Sequence, residues 1–358
     1  MHLISLLTPS LHRLIHPLSP RGKLVHKGLE GLKQANYLID QAVEASRDAP
    51  VILRNELYRL AVNQQQALAL QKTALDLPHL ATWIDRHELA SALSPSSSQV
   101  LNEKVVGGLR LTNGCKVIHV PSYLQALFAA CQQLAGKERV SWTIVDNEDP
   151  LAQEGSFSDY DAVVLACGSG LFQNTRDNQH FATILQKDQW PIQLVRGQSV
   201  EMTLDDELSL PTDHHALLSG KYISPLPESN RILVGATHEY QSTPLSEHQV
   251  VTELRERTED MAPSYIWEMG QIDRLTQGVR VQSERGKFGR LPIIGKVPAS
   301  LLGSSSGTFH SNIWIFTGLS SRGLLYHGLY GDLLADAILT DSNYAVTLQG
   351  EDLLWWQR

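Results

Sequence analysis

NIWIFTGLSSRGLLYHGLYGDLLADAIL, Asn312–Leu339, runs from an apolar strand through a glycine turn into a helix. Ile313 to Phe316 are uniformly apolar, Gly318 follows, and Gly323 precedes a segment in which Leu325, Leu329, Leu333 and Ala337 recur at helical spacing. A turn of this kind points backbone N–H groups and the positive end of a helix dipole toward whatever lies above the strand. An anion or an electron-rich ring suits such a place. Arg322, inside the turn, is positioned either to contact an anionic group or to cap a carbonyl.

A second stretch has the same grammar. DAVVLACGSG, Asp161–Gly170, is an apolar strand, Ala162 to Ala166, that ends in Gly-Ser-Gly. Read alone it is either a tight turn after a buried strand or a dinucleotide fingerprint, in which missing side chains let N–H groups approach a pyrophosphate. The fingerprint is incomplete, because Gln173 stands where the third glycine belongs. Cys167 reads as a small buried hydrophobe.

The totals narrow the classes. The 358 residues are 42% hydrophobic and 19% charged, ordinary for a soluble two-lobed protein, and no run approaches the roughly 20 apolar residues that span a bilayer. The formal charge of -8 is spread along the chain, which argues against a dedicated nucleic-acid surface and against DNA as a partner. Three scattered cysteines form neither a disulfide framework nor a metal site, and the adjacent His214-His215 pair has no ligand spacing, so no metal is expected. Asp205-Asp206 reads as a solvated turn. The first 29 residues lack any acid and carry Arg13, Arg21, Lys23 and Lys27, the composition of an organelle transit peptide or, alternatively, of internal core.

Between these landmarks the pattern alternates. Gly28–Ser46 has a helical apolar stripe; residues 51–70 read as one or two strands entering a helix; Ser94–Ser98 and the low-complexity patch from Gly303 read as loops. GGLRLTNGCKVI predicts a hairpin about Asn113-Gly114, VPSYLQALFAACQQLAG a helix opened by proline and a serine cap and closed by Gly136, and RVSWTIV a short strand. IQLVRGQSVEMTL, KYISPLPESNRILVGATHEY and IDRLTQGVRVQS alternate as strands of a mostly antiparallel sheet, with SEHQVVTELRERTEDMA a charged amphipathic helix between them.

Taken in order, VPSYLQAL, DAVVLACG, VRGQSVEM, YISPLPESNRILVGATHE, GVRVQSERGKFGRLPIIGKVP and the carboxyl-terminal strand-turn-helix resemble the FAD-dependent oxidoreductases of the D-amino-acid oxidase and glycine oxidase superfamily. Within it the chain is similar to the FAD-dependent oxidase half of the bifunctional enzyme of 5-methylaminomethyl-2-thiouridine synthesis in tRNA. The matching segments cover about Gly107 to Leu339. The resemblance implies an α/β fold: a discontinuous, Rossmann-like FAD-binding domain of residues 1–50, 105–175 and 285–358, and a mixed, mostly antiparallel substrate domain of residues 51–104 and 176–284. It makes DAVVLACGSG a later strand that returns beneath the cofactor. The amino-terminal Gly-x-Gly-x-x-Gly unit is expected ahead of residue 1, leaving a truncated FAD domain that holds its cofactor weakly.

The same resemblance assigns residues. Arg280 takes the position that holds a substrate carboxylate, and Tyr222 helps to shape the amine pocket beside His238. Ala166, Gly168, Gly318, Ser320, Ser321, Arg322, Gly323 and Leu324 surround FAD. Glycine oxidases carry a second substrate-binding arginine where this chain has Ser321, whereas the tRNA-modifying relatives share Arg322. The implied reaction is FAD-dependent oxidation of the C–N bond of an amino-acid-like or secondary amine, a small molecule or a modified tRNA side chain, without metal or membrane. The competing reading is a catalytically silent remnant acting through protein contacts. The location expected is cytoplasmic, or an organelle such as a chloroplast or mitochondrion if the basic start is a transit peptide.

Overall fold

A computed structural model describes residues 14–46, 49–93, 101–142, 160–172, 190–204, 215–228, 230–241, 243–261, 265–302, 312–343 and 353–357. In chain order the main elements are β1 (Leu14–Ile15), α1 (Gly28–Ala45), β2 (Ile52–Arg54), β3 (Leu57–Ala61), α2 (Gln64–Asp76), β4 (Ala81–Asp85), α3 (Arg86–Leu93), β5 (Gly107–Leu111), β6 (Lys116–Ile118) and α4 (Val120–Ala135). There follow β7 (Val163–Leu165), β8 (Ile192–Thr203), β9 (Ala216–Ser219), β10 (Lys221–Pro225), β11 (Arg231–Gly235), α5 (Glu247–Thr258), α6 (Tyr265–Met269), β12 (Gln271–Ser283), β13 (Ile293–Lys296), β14 (Ile313–Thr317) and α7 (Gly323–Leu339). The mixture of helices with parallel and antiparallel pairing is the expected α/β class.

The chain divides into two compact units, residues 1–140 with 196–278, and residues 141–195 with 279–358. Two of the three internal boundaries fall inside long strands, β8 and β12. Residues 1–50, 51–104 and 105–140 fall together in the first unit. In the first unit these pieces stay together because their strands interleave: β6 pairs with both β1 and β2, and β5 lies between β3 and β4.

A sheet of order β12-β8-β11-β10-β9-β3-β5-β4 is antiparallel from β8 to β9 and from β3 to β4, and parallel where β3 meets β9. One face carries Tyr58, Leu60, Val200, Met202, Ile223 and Val234 into an apolar cluster with Val250 and Leu254 of α5. That helix begins in a capping box: Ser246 accepts from the Gln249 N–H while the Gln249 side chain accepts from the Ser246 N–H. Beside a small sheet, β1-β6-β2, α1 packs on α4, and their small buried residues Ala35, Ala42, Ala126 and Ala130 allow close approach.

The second unit holds a three-stranded sheet of order β13-β14-β7. Leu165, Phe172, Trp190, Ile293, Ile313, Ile315 and Trp356 form its core, with Trp190 and Trp356 stacked at 5.1 Å between centroids. Trp356 Nε1 donates to the Ile294 carbonyl at 3.1 Å. Along α7 the buried residues are Leu325, Tyr326, Gly328, Tyr330, Leu334 and Ala337. Leu329 and Leu333, expected on the inner stripe, are only half-buried because the stripe is centred one residue later.

Three local readings change. The hairpin about Asn113-Gly114 does not form. The turn is there, with φ of 48° and 98° and a Cys115 N–H to Thr112 carbonyl bond of 3.1 Å, yet β5 and β6 enter different sheets. A two-residue turn fixes a reversal of the chain, not the partner of each strand. The helix after Val120 is capped by His119 without a side-chain bond, and Ser122 Oγ instead meets His119 Nδ1 at 2.6 Å. Residues 139–142 form no strand, and the rest of RVSWTIV lies outside the described residues. So do Ser94–Ser98, Asp205-Asp206, His214 and most of the patch from Gly303.

Candidate functional site

In the second unit β7 runs parallel to β14, with Ile313 opposite Val163, Trp314 opposite Val164 and Ile315 opposite Leu165. Both strands therefore leave the sheet at the same edge. Gly168 and Gly318 each lie three residues beyond the Leu165–Ile315 pair, and both take left-handed backbone, φ +56° and +74°. The carboxyl ends of parallel strands, where N–H groups of the following turns converge, are the usual ligand-binding edge of α/β sheets.

The turns differ in what they leave open. A Cβ at Gly168 would meet nothing within 4 Å, and the same holds at Gly323, the first residue of α7. At Gly318 a Cβ would lie 3.1 Å from the Ile293 backbone nitrogen, so that glycine permits close packing of β14 on β13. After Gly318 the chain makes a short helical turn, Ser320–Arg322, in which Ser320 has φ +55° and the Arg322 N–H donates to the Leu319 carbonyl at 3.1 Å. No side chain caps the start of α7, so its dipole end is left to whatever occupies that edge.

The end of β12 closes on this turn. Gln282 forms an antiparallel bridge with Leu319. Arg280, two residues earlier on the same strand face, is half-buried and lies about 7 Å along the strand from the bridge. Ser283 Oγ and Thr317 Oγ1, which flank the bridge in sequence, are buried and lack a hydrogen-bond partner. Buried hydroxyls are nearly always satisfied, so these two mark places where a polar ligand edge would be welcome.

The structure thus gathers Ala166, Gly168, Gly318, Ser320, Ser321, Arg322, Gly323 and Leu324 at one sheet edge, with Arg280 on the strand that bridges to it. Ala166 and Ser321 are exposed, Gly318 is buried, and the others are half-buried. Cys167 is exposed rather than buried, because it stands past the end of β7. One turn into α7, burial lowers the His327 imidazole below its ordinary value, and Nδ1–H donates to the Leu324 carbonyl at 3.0 Å.

Tyr222 belongs to the first unit. It is buried on β10, and its hydroxyl lies 3.2 Å from Ser199 Oγ across Gly235, which faces both residues in register. His238 is exposed, with Nε2 2.7 Å from the Tyr240 hydroxyl. Sequence reasoning missed Gln282, Ser283 and Thr317, which look like routine strand-end polar residues. It also missed Glu239, a buried carboxylate held by Thr237 Oγ1, by Gln198 Nε2 at 3.2 Å and by the Leu245 N–H at 3.1 Å. Among the described residues no three His, Cys, Asp or Glu side chains are grouped as a metal site, and no helix is long and apolar enough to cross a membrane.

A family model described as DAO, FAD dependent oxidoreductase, matches residues 13–337. The chain belongs to this family. The tRNA 5-methylaminomethyl-2-thiouridine biosynthesis bifunctional protein of Thiobacillus denitrificans (strain ATCC 25259 / T1) is 28% identical to it over 203 residues, 55% of this chain and 28% of that protein. The chain therefore spans only about a quarter of that relative. Among solved structures, glycine oxidase from Geobacillus kaustophilus matches with a TM-score of 0.60 at 18% identity, covering 88% of this chain and 78% of the other. Iminodiacetate oxidase from Chelativorans sp. BNC1 matches with a TM-score of 0.64 at 16% identity, covering 94% and 87%. These likenesses establish the DAO-type fold.

FAD is the cofactor of the DAO family. The edge beyond β7 and β14 fits the ring-bearing side of FAD, since it offers open space at Gly168 and Gly323, an uncapped helix start and two unsatisfied hydroxyls. For the pyrophosphate side, no Gly-x-Gly-x-x-Gly occurs anywhere in the 358 residues.

Proposed function

We propose that this DAO-family chain oxidises the C–N bond of an amino-acid-like or secondary amine. The observation that carries the reading is the parallel β7–β14 pair, which delivers two glycine turns to one edge at equal distance from their last paired residues. Bound at that edge, FAD would supply the two-electron acceptor for oxidation of the amine C–N bond, with dioxygen as the final acceptor, reduced to hydrogen peroxide. The turns after Gly168 and Gly318 would hold the cofactor through backbone N–H groups, and the unpartnered Thr317 and Ser283 hydroxyls would be available to its polar atoms. Arg280 presents a planar guanidinium to a substrate carboxylate, fixing the reacting carbon by two parallel hydrogen bonds. Tyr222 is proposed separately as an amine-pocket residue of the first unit.

The test is direct. The purified chain, incubated with FAD, is offered glycine, N-methylglycine and iminodiacetate, with hydrogen peroxide and ammonia or primary amine measured as products. Turnover of one of them supports the reading; flavin binding with no turnover of any amino acid contradicts the small-amine assignment. The partial likeness to the tRNA-modifying protein favours one larger alternative, an amine on a wobble-uridine side chain. Mass spectrometry of wobble uridines from cells lacking the chain separates the two, because only the second predicts an altered nucleoside.

A further inference from the structure

Three charged side chains of the described residues are fully buried, Arg59, Glu201 and Glu239. Two of them are compensated. Glu201 receives Arg231 and Arg274, each at 2.9 Å, and Glu239 has the amide, hydroxyl and N–H donors given above. Arg59 is the exception.

Arg59 sits mid-strand in β3 at 5% exposure. Its neighbours Tyr58 and Leu60 enter the apolar cluster, so strand alternation turns Arg59 to the opposite face, between its cross-strand partners Leu109 and Leu218. Nη1 donates to the Pro20 carbonyl at 3.0 Å. Nε is buried with no partner, and among the described residues no carboxylate lies within ion-pair distance. Burial lowers the guanidinium to about 10, which still leaves it cationic at neutral pH. The wholly buried Cys115 thiol beside it is pushed up to about 12 by burial and is neutral, so it cannot balance the charge.

A buried cation without a counter-charge is among the costliest arrangements a core can hold, and replacing it with an apolar side chain ordinarily stabilises. We infer that the buried, unpartnered Nε edge of Arg59 receives an oxyanion, a carboxylate or phosphate group of a bound small molecule. The guanidinium fork matches either group bidentately, and the Pro20 carbonyl holds the opposite edge in place.

The experiment is thermal unfolding of the full chain, with and without FAD, in inorganic phosphate or acetate at ionic strength matched by chloride. Wild type is expected to gain stability saturably with one oxyanion. Phosphate identifies a phosphate-bearing ligand and acetate a carboxylate-bearing one. Arg59→Lys, which keeps the charge and loses the fork, is expected to weaken the apparent affinity about 10-fold, and Arg59→Met to abolish the effect while unfolding no earlier than wild type without oxyanion. If phosphate and acetate act no differently from chloride on wild type, or stabilise Arg59→Lys as tightly as wild type, the inference is overturned. Should Arg59→Met not fold, the comparison of wild type with Arg59→Lys decides alone.

Discussion

Leu165 and Ile315 face each other in parallel register, and three residues beyond each stands a glycine in left-handed backbone. Equal spacing on parallel neighbours brings the two turns out of the sheet together. From that relationship follow distinct roles for the two glycines.

Gly168→Ala introduces a Cβ that meets no protein atom, so the stability loss is confined to backbone strain at φ +56°, about 1–2 kcal/mol by urea unfolding. Gly318→Ala carries the same strain plus a methyl 3.1 Å from the Ile293 nitrogen, and a larger loss is expected. Equal losses would show that the β13–β14 packing at Gly318 is slack.

Arg280→Lys is expected to raise KM for a carboxylate-bearing amine by about 10- to 100-fold, the worth of a charge-assisted bidentate contact, while FAD affinity stays unchanged. The two constants are read from steady-state kinetics and from quenching of flavin fluorescence. A matching fall in FAD affinity would make Arg280 a cofactor residue.

Much of this edge was legible beforehand. The apolar runs that end at Gly168 and Gly318 announce buried strands, and the Leu/Tyr spacing after Gly323 announces a helix, because both depend only on local period. Partner choice is not local. The Asn113-Gly114 turn has the residues of a hairpin, yet β5 finds β3 and β4 while β6 finds β1 and β2. Gln198, Thr237 and Glu239 sit in sequence like solvent-facing strand residues, and only the folded chain shows that they satisfy one another in the interior. The Gln282–Leu319 bridge joins segments 37 residues apart and leaves no trace in either.

Gly235→Ala should be poorly tolerated. The added Cβ would collide with Ser199 Oγ and lie 2.7 Å from the Tyr222 hydroxyl, so that contact must break or β11 must shift. A loss of about 1–3 kcal/mol is expected, with a smaller loss in Gly235→Ala/Tyr222→Phe than the two single changes added together.

Acid sensitivity has an identifiable contributor in Glu56. Burial would raise its carboxyl, but the Tyr58 hydroxyl at 2.7 Å and the Arg110 guanidinium at 2.6 Å outweigh it and hold the group below its ordinary value. A carboxyl lowered on folding stabilises above its unfolded pKa and loses that contribution as pH falls through the folded one. The urea midpoint of wild type should therefore exceed that of Glu56→Gln at pH 7, and the gap should narrow below about pH 4.3. A gap that is constant from pH 7 to pH 3 would place the effect in packing rather than charge.

The central claim, that the paired glycine turns hold the flavin side of FAD, is met most directly by titrating FAD fluorescence with wild type and with Gly168→Leu, whose side chain fills the open space beside the turn. The wild-type chain is expected to quench, and a Gly168→Leu chain that remains folded by circular dichroism to bind at least about 10-fold more weakly. Equal quenching by both chains, or none by either, would contradict it.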